Sequence, residues 1–334
     1  MNVLEAVNIS KHFATTRAVD DLSFQVRSGE IFAMLGPNGA GKTTTIRIAL
    51  DILKPDQGTI NVLGGPLTQA TKDRIGYLPE ERGLYRNITV LDCLTYLGAL
   101  KGMDPKAAKR RAEELLDRVD LGPNKLQKVS ELSRGMQQKA QFAATILHDP
   151  DLVIIDEPFS GLDPVNTRLI KEMIYEMKAQ GKTVIMSTHM MHQVEEMADR
   201  LLMMDEGRRV LYGPVHQVRE QFAMDAVYID GQGDWSSLPG VARVRVEDKE
   251  TELFLKDGVT PEDLLAQLVG NPAYHVTRFE VAVPALDDIF VTVVNKKGHR
   301  NEQGLVPAHS AGDLVLERSE EGPVPAQDEE KQLP

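Results

Sequence analysis

The apolar run Ile31-Phe32-Ala33-Met34-Leu35 passes without a break into Gly36-Pro37-Asn38-Gly39-Ala40-Gly41-Lys42-Thr43-Thr44. This matches G-x-x-x-x-G-K-[ST], and it restricts the fold more than any other stretch of the chain. An unbroken apolar run of strand length suits a strand buried on both faces. The glycines let backbone N–H groups converge on phosphate oxygens, and a helix must follow to aim its positive end at them. Strand, anion-binding loop and helix together predict an α/β domain built on a parallel sheet. In that setting Gly36, Pro37, Asn38, Gly39, Ala40, Gly41 and Thr44 shape the cradle. Lys42 reaches the β- and γ-phosphates, and the Thr43 hydroxyl is a ligand for Mg²⁺.

The same architecture continues along the first 222 residues. VLEAVNIS and LSFQV alternate apolar and polar positions, as half-buried strands do. LVIID and TVIMS are further continuous apolar runs. Residues 90–148 read as mostly helical, with Asp104-Pro105 opening one helix. After Phe222 the pattern changes: VYID, ARVRVED, ELFLKD and AYHVTRFEVAV read as strands, and TPEDLLAQLVG as a helix capped by Thr260. ALDDIFVTVV then places Leu286, Ile289, Phe290 and Val293 on one helical face. Three regions follow: a nucleotide-binding domain at 1–222, a small α+β domain at 223–295, and a tail at 296–334 whose polar, acidic composition predicts disorder.

Composition narrows the function classes. No apolar run approaches the length of a membrane span, and MNVLEAVNIS lacks the basic and apolar regions of a secretory signal. A single cysteine, Cys93, excludes an internal disulfide and fits a reducing cytosol. The net charge of −12 argues against a nucleic-acid surface.

Two acids close the next buried run. Asp156 ends LVIID, the expected place for a carboxylate that holds Mg²⁺, and Glu157 follows it and can activate an attacking water. Leu132-Ser133-Arg134-Gly135-Met136-Gln137-Gln138 precedes them, Ser160-Gly161-Leu162-Asp163 comes just after, and Ser187-Thr188-His189 ends the following strand. In this order the motifs resemble those of ATP-binding-cassette (ABC) ATPases, whose signature reads L-S-G-G-Q. The resemblance implies a P-loop, RecA-like core with a helical subdomain at about 90–148. It implies a head-to-tail dimer in which Ser133 and Gly135 of one subunit close on ATP held by the other. It also implies that His189 contacts the γ-phosphate, Asp163 lies at the dimer seam, and Phe13 stacks on adenine. The alternative for Phe13 is an ordinary buried position.

Three positions depart from the family pattern. Arg134 replaces a glycine and Met136 a glutamine in the signature. Glu80, in Ile75-Gly76-Tyr77-Leu78-Pro79-Glu80, replaces the glutamine of the Q-loop. Glu80 is read as a group that meets Mg²⁺ or water and tunes hydrolysis, or as a solvated acid in a charged stretch. His189 and His192 have metal-ligand spacing, but no cysteine or second histidine pair accompanies them.

LPEERGLYRNITVLD, ELSRGMQQK and the ending ALDDIFVTVV are similar to the subgroup that includes sodium-efflux-type exporters. That likeness implies an ATP-hydrolysing subunit on the cytoplasmic face of the membrane. It would drive a separate permease of the ABC-2 kind, working with a second copy of itself or a related subunit. Gly83, Leu84 and Tyr85 then form part of a landing site for that permease; the alternative is a loop packed on its own domain. A non-transport ABC ATPase acting on ribosomes or another soluble assembly is the competing class. One cassette in the chain and the lack of a sustained heptad run disfavour it.

Overall fold

A computed structural model describes residues 1–81, 83–222, 226–247, 250–256 and 258–302. The first unit opens with two long antiparallel strands, β1 (Asn2–Phe13) and β2 (Thr16–Arg27), joined by a tight turn. β3 (Ile31–Leu35) leads into α1 (Lys42–Ala49), and β4 (Gln57–Val62) returns to pair with β1. Then follow α2 (Gln69–Lys72), β5 (Ile75–Leu78), α3 (Val90–Leu100), α4 (Pro105–Arg118) and α5 (Arg134–Ile146). The unit continues with β6 (Leu152–Asp156), α6 (Pro164–Ala179), β7 (Thr183–Thr188), α7 (Met191–Met197), β8 (Arg200–Asp205), β9 (Arg208–Pro214) and α8 (Val215–Glu220).

The six-stranded sheet has the order β5-β6-β7-β3-β8-β9. Its first five strands are parallel, and β9 closes the edge antiparallel to β8. Strand alternation divides its residues between two cores. Ile31, Ala33, Leu35, Val153, Ile155, Val184 and Met186 face the helices α3 to α7. Phe32, Met34, Leu152, Ile154 and Ile185 face α1 and the antiparallel sheet β2-β1-β4. Burial on both sides is why these runs are apolar throughout.

Register positions the site. β3 pairs Leu35 with Thr188 of β7, β6 pairs Asp156 with Ser187, and β5 pairs Leu78 with Ile155. The segments beginning at Gly36, Pro79, Glu157 and His189 therefore leave adjacent strands at the same carboxyl edge, where open α/β sheets bind ligands.

The helical subdomain is built from α3, α4 and α5. Asp104 caps α4 by accepting from the Lys106 and Ala107 amides, with Pro105 at the first helical position. The small domain comprises β10 (Ala226–Gln232), β11 (Val241–Glu247), β12 (Glu250–Leu255), α9 (Pro261–Leu268) and β13 (His275–Val281). Its strands form an antiparallel sheet ordered β11-β12-β10-β13, and α9 covers one face through Leu264 and Leu268. Thr260 and Asp263 form a capping box at the start of α9.

Two features differ from the sequence-based division. α10 (Leu286–Glu302) continues past the boundary expected after Asn295. Lys, Arg and Glu in that stretch are strong helix formers, so its polarity does not break the helix. The rest of the expected tail, 303–334, lies outside the described residues. Leu286 and Ile289 of α10 are also buried in the core of the first unit rather than in that of the small sheet.

Candidate active site

The loop after β3 wraps the start of α1. Gly41 has φ +98, and a Cβ there would lie 2.3 Å from the Ala18 carbonyl oxygen, so no other residue fits. Gly207 N–H donates to the Ala40 carbonyl at 3.1 Å, fastening the loop to the β8–β9 turn. Lys42 is buried, and its Nζ donates to the carbonyls of Gly36 at 2.6 Å and Pro37 at 3.1 Å. Burial pushes its pKa below the ordinary lysine value, against the pull of the Glu157, Asp156 and Glu80 carboxylates. The structure thus brings Glu80 into electrostatic range of Lys42.

Thr43 Oγ1 donates to Asp156 Oδ2 at 2.8 Å. Asp156 is 1% exposed, and its Oδ1 accepts from the Ser187 hydroxyl. A hydroxyl and a carboxylate converging at a phosphate loop are the hard oxygen donors that Mg²⁺ takes, beside water and substrate oxygens. Among the described residues, no group of three or more His, Cys, Asp and Glu could hold a metal unaided. A cation here would therefore depend on the nucleotide.

Glu157 has φ +51, the left-handed region, immediately before Pro158. Such a backbone costs about 1–3 kcal/mol, and the Glu157 amide bonded to the Ser187 carbonyl at 3.0 Å helps to hold it. The turn sends the carboxylate to His189, whose Nδ1 lies 2.9 Å from Glu157 Oε1. His189 is thereby engaged with the Glu157 carboxylate.

Ser133 caps α5, its Oγ accepting from the Met136 amide at 3.3 Å. Arg134 occupies the first helical position with negative φ, so its side chain does not strain the signature loop. Gly135 also has negative φ, and a Cβ there would meet Leu162 Cδ2 at an ordinary 3.7 Å. Nothing within the chain requires glycine at 135. Asp163 caps α6, and the Asn166 backbone N–H, at 2.9 Å, holds its carboxyl below the usual range. Phe13 is 45% exposed beside Lys11, with Nζ 5.7 Å from the ring centroid; it is not a core residue. Its hairpin reaches the loop through Ala18.

Sequence reasoning missed how α5 is tied to the segment carrying Glu80. Among the described residues β5 is an edge strand whose outward carbonyls have no strand partner. His148 Nε2 lies 3.2 Å from the Ile75 carbonyl, and Thr145 Oγ1 donates to Tyr77 at 3.4 Å. Gln141 Nε2 reaches Pro79 at 3.4 Å and Glu81 at 3.2 Å, while Lys101 Nζ donates to Ile75 at 3.1 Å. The signal lay in polar residues spaced along an otherwise apolar helix face.

A phosphate loop, a strand-end carboxylate pair and a histidine at one sheet edge define a P-loop ATPase. Comparison with known proteins makes the assignment specific. Residues 19–160 match the ABC transporter family, and residues 213–294 match the C-terminal domain of DrrA1-3-like ATP-binding proteins. The uncharacterized ABC transporter ATP-binding protein YhaQ of Bacillus subtilis (strain 168) is 38% identical over 291 residues, covering 86% of this chain and 97% of its own. Nod factor export ATP-binding protein I of Sinorhizobium fredii (strain NBRC 101917 / NGR234) is 34% identical over 300 residues, covering 88% and 86%. A solved ATP-binding subunit of an ABC transporter, 31% identical, superposes with TM-score 0.61 over 66% of this chain and 93% of its own. The chain belongs to the ABC transporter ATP-binding proteins and is an ATPase.

Proposed function

We propose that the chain powers export by working as a head-to-tail dimer on a separate ABC-2-type membrane permease. The observation that carries the dimer is the incompleteness of the site in one chain. Lys42, Thr43, Asp156, Glu157 and His189 converge, whereas Ser133 is exposed and followed by a glycine at 135 that the chain itself does not need. The exposed Ser133 and the helix N-terminus behind it suit an anion brought by a second subunit.

Within the dimer, the loop amides and Lys42 bind the β- and γ-phosphates of ATP. Thr43 and Asp156, with Glu80 nearby, would hold Mg²⁺, which would supply neutralisation of the phosphate charge. Ser187 keeps the Asp156 carboxylate oriented. Glu157 takes the proton of the attacking water, and His189 steadies Glu157 and meets the γ-phosphate. Phe13 offers its open face to adenine, a stack worth about 1–3 kcal/mol. Asp163 sits beside the signature loop at the seam.

Three observations support the permease. Tyr85 is 50% exposed and packs edge-on against exposed Tyr96, 5.4 Å between centroids, on the helical subdomain. Leu84 behind it is packed into the core. Among the described residues no helix is long and apolar enough to cross a membrane, so a membrane role requires a partner. The export direction rests on the likeness to a Nod factor export protein. The protein would then sit on the cytoplasmic face of the membrane through that permease.

Mixing Lys42→Ala and Ser133→Arg chains tests the dimer. Each is inactive alone, and their mixture rebuilds one intact composite site and recovers ATPase activity. A mixture as inactive as its components refutes head-to-tail assembly.

A further inference from the structure

α7 begins just after His189, and its outer side is gripped by α10. Leu286 and Ile289 are buried in the same cluster as Met191, Val194 and Met197, and Phe290 and Val293 pack against it. A polar node reinforces this contact. Glu195 of α7 accepts the Leu286 backbone N–H through Oε1, and its Oε2 pairs with Arg219 of α8 at 3.5 Å. Arg219 in turn donates from Nε to the Pro284 carbonyl at 3.1 Å and from Nη2 to that of Val283 at 3.3 Å.

The Leu286 amide is one of the first-turn donors that a helix cannot satisfy itself, so Glu195 caps α10 from another element. On its other side α7 is fixed to α6, where Tyr175 Oη donates to the Glu196 carbonyl at 3.0 Å and Lys171 pairs with the Glu196 carboxylate. The start of α7 lacks any side-chain cap of its own, and the His189 side chain is 54% exposed. The His189 segment is tied to α7 in front, where the Met190 amide donates to Thr188 Oγ1 at 3.1 Å and Thr188 Oγ1 donates to Gln193 Oε1 at 3.4 Å, and the packing behind α7 sets where that helix lies.

We propose that α10 is a positioning element for hydrolysis, with Glu195 as its key residue. The Glu195–Arg219–Leu286 node fixes α7, and α7 fixes the contact between His189 and Glu157. The small sheet joins α10 through Val283 and Pro284, so a load on that domain reaches the catalytic carboxylate along this path. The inference rests on the reading that Glu157 and His189 serve hydrolysis. Glu195 itself touches neither nucleotide nor water.

The test compares kcat and KM for ATP in the full chain for Glu195→Ala, Glu195→Gln, Arg219→Gln and His189→Ala, with hydrogen exchange along the chain. A displacement near 1 Å can cost about 10²-fold in rate. Glu195→Ala should lower kcat about tenfold or more at unchanged KM, with faster exchange confined to α7 and α10. Glu195→Gln, whose amide oxygen still accepts the Leu286 N–H, should keep most of the rate. If Glu195→Ala fails to fold, Arg219→Gln must show the same selective fall in kcat.

Wild-type kcat in Glu195→Ala beside a slow His189→Ala overturns the positioning role alone. Wild-type kcat in His189→Ala overturns the site reading and the positioning role together. Loss of kcat with a raised KM and faster exchange in α1 shows a merely structural role and also overturns the proposal.

Discussion

Glu157→Gln separates chemistry from binding at this site. The residue is 9% exposed, its backbone is fixed by the bond to the Ser187 carbonyl, and Oε1 meets His189 Nδ1 at 2.9 Å. Glutamine has the same shape and the same left-handed backbone cost, and its oxygen can still meet His189, so fold and nucleotide binding should be preserved. What is lost is the ability to accept a proton from water. A positioned general base contributes roughly 10²–10⁴-fold, so kcat should fall at least about 10²-fold, close to 2.7 kcal/mol of barrier. Phosphate release under saturating Mg-ATP measures the rate, and size-exclusion chromatography in the same buffer measures assembly. The variant should elute as an ATP-bound dimer that persists, because closure precedes the blocked step. A rate within threefold of wild type would refute the assignment of Glu157. A slow variant that remains monomeric with ATP would retain the base and remove the dimer.

Other perturbations act on separate parts of the site. Lys42→Ala removes a charged donor from the phosphate loop and should weaken ATP binding about 10–100-fold, read by nucleotide titration; an unchanged Kd would count against the cradle. Glu80→Gln removes a negative charge whose field acts on Lys42 and should change permease-stimulated ATPase activity, so an unchanged rate with unchanged coupling would show Glu80 to be a bystander. Tyr85→Asp places a charge in the exposed aromatic pair and should release the permease while leaving basal hydrolysis intact; retained permease binding contradicts the docking surface. Burial, with the Lys101 ammonium nearby, holds His148 at a pKa of about 4 against an ordinary 6.5. The unfolded chain therefore binds more protons between those values, and stability should fall as pH drops from 6.5 toward 4. Thermal melts of His148→Gln should show a shallower fall over that window, and an identical slope would exclude His148 as a source.

The parallel core was legible because sheet burial on both faces leaves its mark in IFAML, LVIID and TVIMS. The glycine spacing before Lys42 likewise gave the loop its chemistry, and the register then brought Asp156, Glu157 and His189 together, as the motif order implied. Other features depend on partners that one-dimensional patterns do not name. The amphipathic face at Leu286, Ile289, Phe290 and Val293 announces burial, but nothing in its spacing says that α7 covers it rather than the small sheet. Exposure of Phe13 follows from its place at the hairpin turn, which an aromatic residue in a strand pattern does not reveal. Ser187 reads as an ordinary strand residue in the sequence, and only the pairing of β6 with β7 shows that its hydroxyl meets Asp156. Thr145 and His148 bond the outer carbonyls of β5, and only the sheet order shows that this edge lacks a further strand among the described residues.

Coupling to a membrane partner is tested most directly by tagging the protein in its own cell, solubilising membranes in mild detergent and identifying what co-purifies. The account predicts a stoichiometric integral-membrane protein lost on Tyr85→Asp substitution. Recovery from the soluble fraction alone, or with ribosomes, would contradict the transport function while leaving the ATPase intact.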